Sequence, residues 1–412
     1  MRIEYERCCG LDVHKKTVVA CLLVPDGKGR RQKQTRTFST MTAGILALAD
    51  WLTQAGCTHV AMESTGGYWQ PIYNLLEGLF TVLVVNAQHS KAVPGRKTDV
   101  LDAEWIAELW QHGLLRGSFI PSAAQRAVRE LTRYRATLVA ERVRHVERLH
   151  KVLEGTDIKL AAVATDIVGV SGRRILQALL VGVTDPGQLA ELAKGRRRAK
   201  RAELAQALRG RIPAHHAFLI AEVLAHVDHL DEAIARVSQE VAERLRPFDD
   251  DIARLDPIPG INRRVAEDVL AEIGTDMSRF ASARHLASWA GMCPGNNESG
   301  GKRHSGQTRH GNPWLRKTLI EAAHAAARCK QGYLAAQYHR LAARRGKKKA
   351  VVAVGHTLLG IVYHVLTRHE EYHELGGNYF DERDKQAVTH RLVQRLEKLG
   401  YEVSLQPTTI AA

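Results

Sequence analysis

Four carboxylates stand where a pair of divalent cations would need them. Asp12 lies in Cys8-Cys9-Gly10-Leu11-Asp12-Val13-His14-Lys15, and Glu63 closes His59-Val60-Ala61-Met62-Glu63. Asp99 and Asp102 share Lys97-Thr98-Asp99-Val100-Leu101-Asp102-Ala103, at the start of a helical pattern. Spacing i, i+3 sets both on one helix face. Converging carboxylates repel, and one stays protonated unless cations hold the set ionised. Two Mg²⁺ ions would do that, and would also clamp a phosphate undergoing displacement. Singly each acid is weak evidence, because surface Asp and Glu are common. Asp12 is harder to dismiss, since Leu11 and Val13 flank it inside an apolar run.

A second cluster fills residues 291–317, which are rich in Gly and basic residues and almost free of aliphatics. Lys302, Arg303, Arg309, Arg316 and Lys317 make it a candidate nucleic-acid contact, and a Gly-rich loop brings backbone amides close to phosphate. Ser299 precedes Gly300-Gly301, so a polyanion could approach its hydroxyl closely. The plain alternative is a flexible surface loop.

The elements that must position these groups follow from pattern. Strands are expected at Cys9–Val13, Thr17–Val24 and Thr35–Ser39, with turn chemistry at Pro25-Asp26-Gly27. A helix follows, capped by Thr42 and striped by Ile45, Leu46, Leu48, Ala49 and Leu52. Then come strand His59–Glu63, a helix through Ile72–Leu76, strand Thr81–Val85 and a helix from about Asp99 to Trp110. This order resembles the ribonuclease-H-like fold of RuvC-type resolvases and many transposases. The resemblance implies a first acid on the first strand, a second at the end of the fourth and the last on the closing helix.

From Ser122 to Pro257 the chain is helical and charged. Val128, Leu131, Leu138, Val139, Val143, Val146, Leu149 and Leu153 predict one long helix beginning near Pro121, of coiled-coil type. A second periodic stretch covers Ala217–Leu245. Between them Arg196-Arg197-Arg198-Ala199-Lys200-Arg201 reads equally as a solvated helix face or a phosphate contact. Pro259-Gly260 ahead of a helix over Val265–Ile273 resembles a helix-hairpin-helix turn, which binds DNA backbone through main-chain amides. An ordinary helix-initiating loop would look the same.

The 412 residues suffice for two or three domains, and 45% hydrophobic content supports real cores. Lys plus Arg number 59 against 44 Asp plus Glu, a net charge of +15 that favours a polyanionic partner such as nucleic acid. Six cysteines without a Cys-x-x-Cys pair speak against a zinc knuckle or a secreted disulfide scaffold, and fit reduced thiols in the cytoplasm. No apolar stretch reads as long and charge-free enough to span a membrane, and the N-terminus lacks a signal-peptide core.

Six boxes in order give a specific resemblance. Gly10–Lys15, Glu63-Ser64-Thr65-Gly66, Lys97–Ala103, Gly291-Met292-Cys293-Pro294, Ser299-Gly300-Gly301-Lys302 and Arg309-His310-Gly311-Asn312 resemble a DEDD-type insertion-sequence transposase of the one-ten/eleven-eleven family. The resemblance runs from near residue 8 to near residue 330. It implies a RuvC-like metal domain joined to a domain with a serine nucleophile, matched here by Ser299. Ser305 is a second serine in the loop, but only Ser299 is followed directly by Gly-Gly. The resemblance further implies a structured non-coding guide RNA, pairing with donor and target DNA, and action at the bacterial nucleoid. The expected organisation is an α/β RNase-H-like metal domain over 1–120 and a helical coiled-coil linker and dimerisation region over 121–254. A mostly helical transposase domain with the serine loop then spans 255–375, and a tail 376–412. A dimer or tetramer is expected. The rivals are a RuvC-like junction resolvase using water and a non-catalytic nucleic-acid-binding protein. Past residue 330, Arg344-Arg345-Gly346-Lys347-Lys348-Lys349 matches no box; it reads as an RNA contact or a solvated helix end.

Overall fold

The computed structural model describes all residues except 1, 27–30, 65, 86–98, 157, 296 and 407–412. The side chains of 99, 100, 196, 197, 297–299, 303 and 304 also lie outside the described set. The chain divides into two compact units, Met1–Ala123 and Ala124–Ala412.

The first unit is built on five described strands: β1 (Cys8–Val13), β2 (Thr17–Pro25), β3 (Arg31–Ser39), β4 (His59–Glu63) and β5 (Thr81–Val85). Their spatial order is β3-β2-β1-β4-β5. β1 to β3 form an antiparallel meander, while β4 and β5 run parallel to β1. Among the described residues three helices cover the sheet: α1 (Thr42–Gln54), α2 (Trp69–Leu76) and α3 (Asp99–Gln111). Every residue of β1 is buried, as expected of a strand covered on both faces. Cys9, Leu11 and Val13 pack with Leu48, Leu52, Ile72 and Leu76 of α1 and α2. Cys8 packs on the opposite face with Ala103, Ile106, Ala107 and Trp110 of α3.

Gly10 sets how closely α3 approaches. A Cβ there would meet the Ala103 carbonyl oxygen at 2.3 Å and the Ala107 nitrogen at 2.4 Å. The helix backbone therefore lies directly on the strand, which only glycine permits. Edge strand β3 is clipped to the same helix by Lys33–Glu104 at 2.6 Å and Arg31–Glu108 at 2.9 Å.

In the second unit α4 (Ala123–Glu154) and α5 (Ala214–Leu245) each have 32 residues. They run antiparallel within one chain. Arg142 donates to Asp231 at 2.5 Å, and the His145 and His226 rings stand 4.1 Å apart. Short helices between them join their facing ends in one core around Leu149, Leu153, Ile175, Leu204, Ile220 and Val227. The basic run 196–201 lies on a 3₁₀ turn, Gly195–Lys200, and enters the next helix. Arg201 pairs with Glu191 at 2.9 Å, and Arg198 and Lys200 are exposed. Further along, the helices that matter for the second site are α6 (Arg263–Ile273), α7 (Pro313–Ala326), α8 (Tyr333–Arg345) and α9 (Lys347–Arg368).

α9 corrects the expectation that no stretch is apolar enough to span a membrane. By length and composition it is, with a mean hydropathy of 1.7 over 18 residues, of which 50% are buried in this fold. Val351, Val354, Leu358, Val362 and Leu366 are buried, so much of this apolarity serves packing within the unit.

The described cysteines carry no disulfide. Burial pushes the Cys8 thiol up to about 12 and Cys57 up to about 11, and raises Cys9 and Cys21. Ellman's reagent should therefore titrate Cys329 and Cys293 in the native protein and reach the other four only on denaturation. Reaction of all six in the folded state would contradict this core.

Candidate functional site

The first constellation sits at the ends of two central strands. Along β1, alternation turns Cys8, Gly10 and Asp12 toward α3. Parallel register pairs Gly10 with Ala61 and Leu11 with Met62. Carried one residue further, it sets Asp12 beside Glu63, both on the α3 face. α3 runs antiparallel to β1: Cys8 Sγ reaches the Ala107 carbonyl at 3.7 Å, and Gly10 abuts Ala103. Its first turn, with Asp99 and Asp102, is therefore directed toward the Asp12 end of the strand.

Asp12 is 8% exposed, and its Oδ2 lies 3.0 Å from His14 Nε2. Glu63 is half-buried and Asp102 exposed. The side chain of Asp99 lies outside the described residues. Among the described residues no three His, Cys, Asp or Glu side chains come within metal-holding spacing. The sheet thus sets two of the predicted acids at the ends of adjacent strands, and α3 supplies the turn carrying the others. The donors are all carboxylate oxygens with an imidazole beside them, a set that suits a hard divalent cation. His14 is a neighbour that sequence spacing did not single out.

The second constellation is a β-hairpin where the sequence suggested only a loop. β6 (Asn297–Ser299) and β7 (Lys302–Ser305) pair with Ser299 opposite Lys302. Gly300 and Gly301 turn the chain with φ of +58° and +73°, the signature of a two-residue type I′ turn. Nothing lies within 4 Å of a Cβ built at either. Glycine is needed here for the sign of φ, not for room. The side chain of Ser299 lies outside the described residues, but its backbone stands at the hairpin tip. Ser305 sits at the base, where its Oγ accepts from Gln307 N at 3.1 Å.

The base is held firmly. Gly295 N donates to the Gln307 carbonyl at 2.8 Å, and Pro294 bridges Thr308. Arg316, one of the predicted phosphate contacts, donates to the Gly291 carbonyl and, at 2.9 Å, to Thr308 Oγ1. Its guanidinium thus ties the loop closed. Lys302 and Arg309 are exposed; Lys317 is 3.9 Å from Glu321; Arg303's side chain lies outside the described residues. Asn312 caps α7, accepting from Trp314 N and Leu315 N at 3.0 and 3.1 Å, with Pro313 in the first turn.

Asn312 also donates to Glu272 Oε2 at 2.5 Å. Glu272 is 2% exposed and receives Arg133 at 2.7 and 2.9 Å and Arg129 at 3.2 Å. Beside it, buried Arg135 pairs with Glu267 and Asp268, each at 2.7 Å. Burial pushes the Asp268 carboxyl up against the pull of Arg135. This network joins α4, α6 and the loop that carries Ser299. Glu272→Ala should cost about 3–5 kcal/mol, because it strands two arginines and Asn312. A lower urea midpoint checks this, and Glu272→Gln should lose less. The pre-helical Pro257–Ile261 turn leads into α6, where Asn262 Oδ1 accepts from Val265 N at 3.0 Å.

Comparison with known proteins gives the family. Residues 9–158 match a model described as a transposase of the DEDD type, and residues 252–339 match the Transposase IS116/IS110/IS902 family. The chain is 30% identical over 286 residues to a probable family 20 transposase of Pseudomonas aeruginosa, covering 68% of this chain and 74% of that protein. It is 27% identical over 374 residues to the transposase for insertion sequence element IS1111A of Coxiella burnetii, covering 88% and 90%. A transposase for IS1328 of Yersinia enterocolitica is 24% identical over 296 residues, covering 71% and 78%.

Proposed function

Because the chain belongs to the IS116/IS110/IS902 family of insertion-sequence transposases, we propose that it cuts and exchanges DNA strands with two groups of its own: the Ser299 hydroxyl and the carboxylates Asp12, Glu63, Asp99 and Asp102. The observation that carries this reading is that Asp12 and Glu63 each follow the last registered pair, Leu11 with Met62, of adjacent parallel strands, with the first turn of α3 directed toward the Asp12 end. The strand order β3-β2-β1-β4-β5, an antiparallel meander extended by two parallel strands, supports a ribonuclease-H-like domain.

The carboxylates would hold Mg²⁺, two ions by the four-acid count, and bound metal would neutralise charge developing on a phosphate. Asp12 and Glu63, on adjacent strands, would supply two of the oxygens for that task. Ser299 Oγ gives up its proton and forms the new bond to phosphorus, while the bond from phosphorus to a deoxyribose oxygen breaks and that oxygen takes up a proton. One phosphoester replaces another, so the link to serine conserves the energy needed for rejoining. Lys302, exposed beside the tip, and Arg309, exposed beyond the base near Gly295, would position the backbone. Guidance by a structured RNA rests on the family resemblance, and the net charge of +15 favours a polyanionic partner; a dimer or tetramer would let different copies supply the carboxylates and Ser299.

The test is direct. Labelled DNA carrying the element junction is incubated with protein and Mg²⁺ and run under denaturing conditions. A covalent protein–DNA band yielding phosphoserine supports the reading. Cleavage without that band points to a water-using resolvase, and no cleavage with retained binding points to a non-catalytic binder.

A further inference from the structure

Between Glu321 and Glu370 the chain carries no Asp or Glu across 48 residues, although at its overall acid content about five would fall there. Nine Lys and Arg occupy the same stretch. Five of them, Arg344, Arg345, Lys347, Lys348 and Lys349, gather at the Gly346 break between α8 and α9. All five are exposed, and among the described residues none of them has an ion-pair or hydrogen-bond partner. Elsewhere in this unit Arg142, Arg173, Arg244 and Arg254 are each paired with a carboxylate.

Local electrostatics oppose this grouping. The three lysines fill the first turn of a 22-residue helix, where the positive end of the dipole repels cations. Gly346, with φ of +83°, ends one helix and starts the next. Both sets of charge therefore project from one corner and repel each other. An anion at the corner relieves both strains. The corner also lies beyond residue 339, where the match to the family ends.

We propose that the α8–α9 corner is a second DNA contact, separate from the serine hairpin, that grips the phosphate backbone of duplex DNA. Duplex DNA presents one charge per ~1.7 Å of axis, and lysines on flexible stems meet such charges as points without reading bases. Binding there is independent of sequence. The proposal rests on the reading that the chain handles DNA, and not on which group attacks.

Full-length protein carrying Asp12→Asn, so that no strand is cut, is titrated with a fluorescein-labelled DNA duplex over a range of salt. Lys347→Gln/Lys348→Gln/Lys349→Gln should lower the slope of log K against log salt by about 2.7, near 0.9 for each phosphate no longer neutralised, and weaken binding roughly tenfold or more. Arg236→Gln/Arg244→Gln/Arg246→Gln removes equal charge from positions on and just after α5 that are already paired with Glu232, Glu240 and Glu243. That control should leave the slope unchanged. Lys→Arg at all three positions should retain it. If the glutamine variant melts early, Arg344→Gln/Arg345→Gln carries the same test from the other side of Gly346, with a slope change of about 1.8. Equal slopes in parent and corner variants overturn the proposal. So does a loss confined to a structured RNA hairpin offered in place of the duplex, which would make the corner an RNA surface. Because cleavage is not read, a missing serine adduct leaves this result standing, and an unchanged slope leaves the adduct reading standing.

Discussion

Ser299→Ala is expected to eliminate the covalent protein–DNA adduct and all strand exchange while leaving DNA binding and stability close to those of the parent. The residue lies at the end of β6, next to a two-glycine turn whose conformation is set by Gly300 and Gly301. The substitution leaves both glycines, and with them the turn, unchanged. Ser305→Ala is the control inside the same hairpin. Its hydroxyl already accepts from Gln307 N at the base, 3.1 Å away, so it is engaged in shaping the loop. The adduct should persist in that variant. Ser299→Cys should keep at most a trace of activity, since a thiolate attacks readily but reacts poorly at phosphorus. An adduct that survives Ser299→Ala and disappears in Ser305→Ala would move the nucleophile to the base of the hairpin. Cleavage by every variant with no adduct would favour hydrolysis by water.

The two constellations differ in how far the sequence disclosed them. Around Asp12 the pattern was legible because β1 is covered on both faces, and a strand buried twice must be apolar almost throughout. A carboxylate inside such a run stands out. Among the described residues the order of three strands, helix, strand, helix, strand, helix appears, with boundaries shifted by two residues or fewer except at the start of α2, by three, and of β3, by four. The periodicity of α4 and α5 was legible for a similar reason, since each buries one stripe. That they pair antiparallel within the chain was not, because cross-helix contacts such as Arg142 with Asp231 join residues 89 apart. The hairpin 297–305 escaped because its strands have three and four polar residues, too few for alternation to register. Its one signal was Gly-Gly between Ser299 and Lys302, the spacing of a two-residue turn. Glu272 left no local trace, since its arginine partners lie on α4, well over a hundred residues earlier.

Asp12→Asn is expected to abolish recombination, by at least roughly a hundredfold, without weakening the fold. Asparagine has nearly the same shape, and an amide can still face His14. Asp12 is 8% exposed, and placing a neutral amide at such depth costs less than placing a carboxylate. The melting temperature without metal should be unchanged or higher. Glu63→Gln, at the end of β4, and Asp102→Asn, on α3, should behave alike. Asp99→Asn should be milder, since two acids on one helical turn need not both touch a metal ion. Metal linkage separates a ligand from a merely structural acid. A ligand that binds only the native state raises stability by about 2.7 kcal/mol at a hundred times its dissociation constant. Mg²⁺ should therefore raise the melting temperature of the parent, do so much less for Asp12→Asn, and still do so for Ser299→Ala, whose residue lies in the other unit. If Asp12→Asn recombines at the parental rate, or gains as much stability from Mg²⁺ as the parent does, the carboxylates at the ends of β1 and β4 are not the metal site.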